Sequence, residues 1–327
     1  MNQQRALSTP SYMSTTVFGR MAYQGSAVIG DFLYLDGGEM KWLSDDGIRH
    51  NDILNDTLSI PLSTSWTNST VPFAATNRGV YPEQPSLNFE NLWPSNDSSN
   101  FYVFGGELSG YNVMNPLQPV QPSLWQFTAD GSGGGSWSTA SAVDNTHQSL
   151  NQPSHALATS GNGVGYALGG MVTCGTYADP AGSCGVVFTP VPGLVVFNMS
   201  TNSWSNISAS GDSGYSTYGT AFLGSAQFAP SFGSQGVVLF VGGQTSDRES
   251  AAITSPKRPF SQIGIFDPSS QTFHTQTTSG DTPAYREHFC SVGAQGDNGT
   301  YEIFIYGGVA DDWYVATPSN ATANGMD

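Results

Sequence analysis

The sequence predicts an all-β fold assembled from repeated strand units. Three observations carry that expectation. Short apolar runs ending in Gly-Gly occur five times, they are almost evenly spaced, and no stretch shows helical periodicity. The pairs are Gly37-Gly38, Gly105-Gly106, Gly169-Gly170, Gly242-Gly243 and Gly307-Gly308, with first glycines 68, 64, 73 and 65 residues apart.

Each part of the unit has a chemical reason. FLYLDGG, FYVFGG, GYALGG, VVLFVGG and EIFIYGG combine β-branched, aromatic and alternating apolar residues, the pattern of a buried or half-buried strand. Glycine pairs permit positive φ and close backbone approach where neighbouring sheets converge. Upstream comes another short apolar run with a turn, as in QGSAVIGD (24–31), SHALATSGNG (154–163) and REHFCSVGAQGDNG (286–299). Downstream comes a polar connection of variable length, then a strand, a tight turn and an aromatic residue. VVFNMSTNSW (195–204) and IGIFDPSSQTF (263–273) align Phe197 with Phe266, Asn198 with Asp267 and Trp204 with Phe273. Asn and Asp open such turns by bonding backbone two residues onward. Degenerate copies end at Trp66 and Trp137. Trp66, Trp137 and Trp204 are expected to pack one sheet on the next. A meander of this kind cannot bury both faces alone, so the units stack radially or linearly.

The diglycine strand, the later aromatic–Asx turn and the aromatic six residues on resemble the kelch repeat of the central β-propeller in galactose-oxidase-like proteins. QGSAVIGDFLYLDGGE and FYVFGGE are similar to long-loop fungal kelch proteins. The resemblance runs from about Ala22 to Ala316. It implies an all-β, kelch-type β-propeller of about five four-stranded blades over residues 22–318. Residues 1–21 form an N-terminal segment, in which 12–19 is expected to supply a closing strand, and 319–327 a disordered tail. The repeats exceed the kelch period of about 50 residues, and the excess is assigned to loop insertions. Kelch propellers usually have six or seven blades, and the fifth unit ends soon after WYVATP (313–318). Two outcomes stay open: five units close into a ring, or a blade is incomplete at the C-terminal end and leaves an open edge that invites aggregation.

Composition narrows the function. Charged residues are 10% of the 327, lysine occurs only at Lys41 and Lys257, and the net charge is −16. Nucleic acid and anionic membranes require a cationic footprint that this chain lacks. The longest apolar run, GVVLFV (236–241), has strand length, so no membrane span is expected. Cys174 and Cys184 bracket a Gly/Pro/Ala-rich loop and are expected to pair as a disulfide; Cys290 is expected to be a small buried residue of a strand. Seven glycosylation sequons occur, at Asn55, Asn68, Asn96, Asn198, Asn206, Asn298 and Asn320. The N-terminus shows no secretory signal, yet these features together favour an extracellular or cell-surface protein.

Candidate site residues are few. Glu39, Glu107 and Gln244 each follow a diglycine, and equivalent positions in a propeller lie near one rim. They either form a ligand- or metal-binding ring or cap neighbouring backbone amides between blades. Asp45, Asp46, His50, Asp52 and Asp56 form an acidic run that does not fit an EF-hand and reads as a solvated loop. His155 and His288 stand where kelch repeats commonly carry histidine, and are read as structural; His50, His147 and His274 look isolated. GSGGG (131–135) is a flexible turn with no helix behind it to hold phosphate. No catalytic or metal-ligand set is assembled, and no cofactor is expected. The expected function is a recognition scaffold that binds protein or glycan through long loops without catalysis. The alternatives are a galactose-oxidase-like oxidoreductase or an accessory protein of a small-molecule pathway.

Overall fold

The computed structural model describes residues 10, 13–14, 17–78, 86–109, 124–140, 145–173, 175–176, 188–211, 214–247 and 256–310. Four antiparallel four-stranded sheets follow one another along them. The first holds β2 (Gly25–Ile29), β3 (Phe32–Asp36), β6 (Asp56–Pro61) and β7 (Ala74–Asn77). The second holds β8 (Asn91–Pro94), β9 (Asn100–Phe104), β10 (Trp125–Ala129) and β11 (Gly135–Thr139). The third holds β12 (Leu157–Gly161), β13 (Val164–Leu168), β16 (Leu194–Asn198) and β17 (Ser203–Ile207). The fourth holds β18 (Ser225–Ala229), β19 (Val237–Val241), β20 (Gln262–Asp267) and β21 (Thr272–Thr277). A fifth sheet has two described strands, β22 (Glu287–Gln295) and β23 (Tyr301–Val309).

Three smaller elements decorate this series. β1 (Phe18–Ala22), β4 (Glu39–Leu43) and β5 (Arg49–Ile53) form a three-stranded sheet, and β14 (Met171–Val172) pairs with β15 (Thr189–Pro190). Among the described residues one short helix, α1 (Asn145–Ser149), departs from the expectation of no helix. Of residues 12–19, from which a closing strand is expected, 13–14 and 17–19 are described. Phe18 pairs with Trp42 of β4, and the sheet of β22 and β23 gains no strand from that segment among the described residues.

The sheets stack through their first strands, β2 on β8, β8 on β12, β12 on β18 and β18 on β22. The stacking is radial. Phe89 of the second unit lies 5.9 Å from His288 of the fifth, ring centre to ring centre, although two whole units separate them in sequence. A linear stack could not bring these together. The sheets are therefore blades around an axis.

Aromatic residues fill the spaces between blades. Trp93 of the second blade is fully buried, stacks on Phe104 and Phe197 and meets Trp204 at a tilt, joining the second blade to the third. Leu157, Tyr166, Leu194, Phe240 and Phe266 form the equivalent core between the third and fourth. The outer hairpins pair aromatics directly: Phe127 with Trp137, Phe197 with Trp204 and Phe266 with Phe273. Their turns are held by Asx side chains. Asn198 accepts from the Ser200 amide at 3.0 Å and Asp267 from the Ser269 amide at 2.8 Å.

Strand alternation makes the two ends of the propeller unequal. Connections between the second and third strands (37–55, 105–124, 169–193, 242–261) begin and end on one face. So do those between successive blades (78–90, 140–156, 208–224, 278–286). The opposite face receives mostly tight turns (30–31, 95–99, 130–134, 162–163, 199–202, 268–271), with 62–73 its longest connection.

Candidate functional site

The diglycines sit on the loop-rich face and lock each blade to the next. The second glycine donates its amide across the boundary: Gly38 to Leu87 O at 2.9 Å, Gly106 to Pro153 O at 3.1 Å, Gly170 to Ala221 O at 2.8 Å and Gly243 to Arg286 O at 3.1 Å. The residue that follows makes a side-chain clasp. Glu39 accepts from Asn88 Nδ2 at 2.7 Å and from Ser109 Oγ. Glu107 accepts from Ser154 Oγ at 3.0 Å and Thr173 Oγ1 at 2.8 Å. Gln244 Nε2 donates to Glu287, whose carboxylate also receives the Tyr285 hydroxyl. In the third unit the same position is Met171, which packs on Phe222 and Leu223. Glu39, Glu107 and Gln244 thus bond chiefly to side chains of the following blade. Burial pushes the Glu107 carboxyl above its ordinary range, the Thr173 and Ser154 hydroxyls oppose this, and the charge of Glu39 adds to it.

Inside this clasp lies a collar of five residues, one per unit: Tyr23, Phe89, His155, Leu223 and His288. All five are in the left-handed region, with φ of 69°, 54°, 59°, 64° and 52°. Ordinary side chains adopt that region rarely, so its recurrence marks a backbone imposed by the fold. The Phe89 amide donates to Tyr23 O at 2.9 Å, Leu223 to His155 O at 3.1 Å and His288 to Leu223 O at 3.0 Å. The side chains converge on the axis. Ring centres are 4.5 Å apart for Tyr23 and Phe89, 3.7 Å for Phe89 and His155, and 5.8 Å for His155 and His288.

A hydrogen-bond chain runs from the clasp into the collar. Ser154 Oγ donates to Glu107 and lies 2.8 Å from His155 Nδ1. With the Ser154 hydroxyl donating to Glu107, Nδ1 carries the hydrogen that Ser154 accepts, and Nε2 is a bare acceptor. It has no partner among the described residues. Burial pushes the His155 imidazole well below its ordinary range, and His288 lowers it further. Burial also lowers His288, against the charge of Glu287.

The linkage has a definite sign. An unfolded histidine titrates near pH 6.5, and both folded groups lie lower, so below neutrality the unfolded chain binds more protons. Stability from this pair is therefore complete above about pH 6.5 and declines towards the folded values, by at most about 1.4 kcal/mol per pH unit for each histidine. The raised carboxyls of Glu107 and Glu90 act in the opposite direction. The measurement is consequently a difference: urea titrations at several pH values on the native chain and on His155→Phe. The native chain is expected to lose more stability than the variant on acidification. Parallel profiles would remove His155 from the account.

Other residues singled out in the sequence fall elsewhere. Trp137 spans a blade boundary, donating from Nε1 to Thr57 Oγ1 at 2.9 Å, and Trp204 is buried beside Trp93. Trp66 does not pack between sheets: it is 42% exposed in the 62–73 connection and donates to Pro61 O. That connection keeps it out of the fourth strand, and Ala75 of β7 and Phe73 just before it pack on the core instead. Cys290 lies in β22 but is exposed, because its side faces away from the neighbouring blade. His147 is not isolated: it is fully buried, with its ring 4.8 Å from Trp204. Asn55, Asn68, Asn96, Asn206 and Asn298 are exposed and Asn198 is half-buried. Cys174, Cys184, Asn320 and the 319–327 tail lie outside the described residues. Among the described residues, no three His, Cys, Asp or Glu side chains gather as a metal site, and no helix is long and apolar enough to cross a membrane.

The repeat geometry can now be set beside known proteins. No family model matches the chain. A kelch repeat-containing protein of Arthroderma benhamiae is 26% identical over 333 residues, covering 93% of this chain. The solved structure of YjhT superposes with a TM-score of 0.52 at 12% identity, over 88% of this chain and 85% of that one. The chain folds as a kelch-repeat β-propeller. It spans about half, 47%, of the curated relative's length. In this propeller the sequence exposes the diglycines, and the residue after each, because residue type recurs there. The collar escapes sequence reasoning except at its two histidines, since its members share a backbone angle and no side-chain chemistry.

Proposed function

We propose that this kelch propeller is a recognition scaffold whose loop-rich face binds a protein or glycan ligand without chemistry of its own. One observation carries the reading: the long connections begin and end on a single face, while the other face carries mostly tight turns. Loops on a rigid scaffold are where binding residues concentrate. The diglycine clasps and the collar stiffen the base from which those loops rise. An exported location belongs to the same reading, with glycans expected on the exposed sequon asparagines and a disulfide joining Cys174 to Cys184. Intact mass before and after deglycosylation and reduction measures both.

The test is a footprint. The purified chain is screened against arrays of extracellular proteins and glycans, and hydrogen exchange is compared with and without each ligand that binds. Protection is expected in the connections of the loop-rich face. Protection centred on the turns 199–202 and 268–271 would overturn the reading.

A further inference from the structure

We infer that the cleft beside the β4–β5 hairpin docks a segment of a partner protein that carries Lys or Arg side chains. This rests on the recognition reading above and names the chemistry of one part of that face. The cleft measures about 1280 Å³. Small-molecule sites are usually about 300–1,000 Å³, so this space suits an extended peptide better than a lone ion.

Its lining is chemically one-sided. Asp45, Asp46, Asp52 and Asp56 all contribute, and among the described residues no Lys or Arg does. Strand register explains the arrangement. Trp42 faces His50 and Met40 faces Asp52 across the β4–β5 pair, which puts all four on one face of the sheet. Lys41 and Arg49 alternate onto the opposite face, as period-2 geometry requires.

The local contacts prepare the cleft for a cation. Trp42 and His50 stack with ring centres 4.4 Å apart and planes 16° from parallel. The indole Nε1 donates to Asp52, holding the carboxylate against the aromatic surface. The Ser44 hydroxyl bonded to Asp46 holds that carboxyl below its ordinary range. Exposed Ile48 lies at the hairpin end of the cleft, where the alkyl stem of a long cationic side chain can rest. A guanidinium or ammonium group beside an indole and several carboxylates gains both cation–π and charge-assisted hydrogen bonding.

The experiment uses the intact chain and a fluorescent, end-capped peptide of alternating Gly with Lys or Arg, read by anisotropy at physiological ionic strength. The native protein is expected to bind it, and a matched Gly/Ser peptide to bind at least about tenfold more weakly. Asp46→Asn/Asp52→Asn and, separately, Trp42→Leu are each expected to lower affinity about tenfold. Asp297→Asn/Glu302→Gln removes equal charge from the fifth sheet and is expected to change affinity less than about twofold. Equal binding of the neutral peptide, or equal loss in the fifth-sheet variant, would overturn the proposal. Circular dichroism of every variant separates lost binding from lost folding. A partner footprint on the loop-rich face that misses residues 39–56 would remove this cleft while leaving the recognition reading intact.

Discussion

Valine in place of Gly169 is expected to destabilise the propeller by about 3–5 kcal/mol, enough to prevent folding of a marginally stable domain. Two effects add. Gly169 has φ of +67°, where a β-branched residue is strongly disfavoured. A Cβ there would also lie 2.1 Å from Ala221 O, 2.5 Å from Ala221 N and 2.9 Å from Thr220 Oγ1. Most of these atoms are backbone of the next blade, and the same carbonyl accepts the Gly170 amide at 2.8 Å. Relief by movement would therefore break the inter-blade bond. Gly307 supplies the control. It occupies the equivalent place in the fifth unit with φ of +73°, but among the described residues nothing lies within 4 Å of its Cβ position. Alanine at Gly307 is expected to cost only the backbone term, roughly 1–2 kcal/mol, and alanine at Gly169 clearly more. Urea titration of both variants measures the difference. Equal costs would show that the diglycine does not carry the blade contact.

That pair of glycines shows why part of the architecture was legible. A close backbone approach tolerates one residue type, so the constraint is written directly in the sequence. The clasp was half legible. Glu39, Glu107 and Gln244 could be found from position, but their partners Asn88, Ser154 and Glu287 share no type and lie in the next unit. The collar was nearly invisible, because Tyr23, Phe89 and Leu223 resemble ordinary core residues until their φ angles are known. Trp66 was misplaced because its spacing mimicked the aromatic of the outer hairpin, while an insertion before β7 moved it into solvent. The acidic run 45–56 looked like a solvated loop. Only strand register reveals that Trp42, His50 and Asp52 share one face, and a one-residue slip would have scattered them.

Arg78→Ala is expected to cost about 3–5 kcal/mol, through charge rather than packing volume. Arg78 is almost wholly buried, and its Nη1 donates to Asp36 and, at 3.0 Å, to Glu90 Oε2. Asp36 ends β3, while Glu90 immediately precedes β8, so the guanidinium ties the first blade to the second. It also lies 4.4 Å from the centre of the Trp137 ring, and Thr57 Oγ1 donates to Asp36 at 2.6 Å. Burial pushes the Glu90 carboxyl well above its ordinary range, with Arg78 opposing and Asp36 reinforcing the shift. Removing Arg78 removes the cation and raises Glu90 further. A carboxyl raised in the folded state favours folding at low pH, and its stabilisation is lost as pH rises through the folded value. The deficit of Arg78→Ala is thus expected to be larger at pH 8 than at pH 5, opposite in direction to the histidine effect at the collar. Combining Arg78→Met with Asp36→Asn and Glu90→Gln is expected to recover most of the loss, because no unpaired charge stays buried. Denaturant midpoints for the single and triple variants at both pH values decide the matter. A loss that is independent of pH and persists in the triple variant would mean that Arg78 acts by filling space beside Trp137.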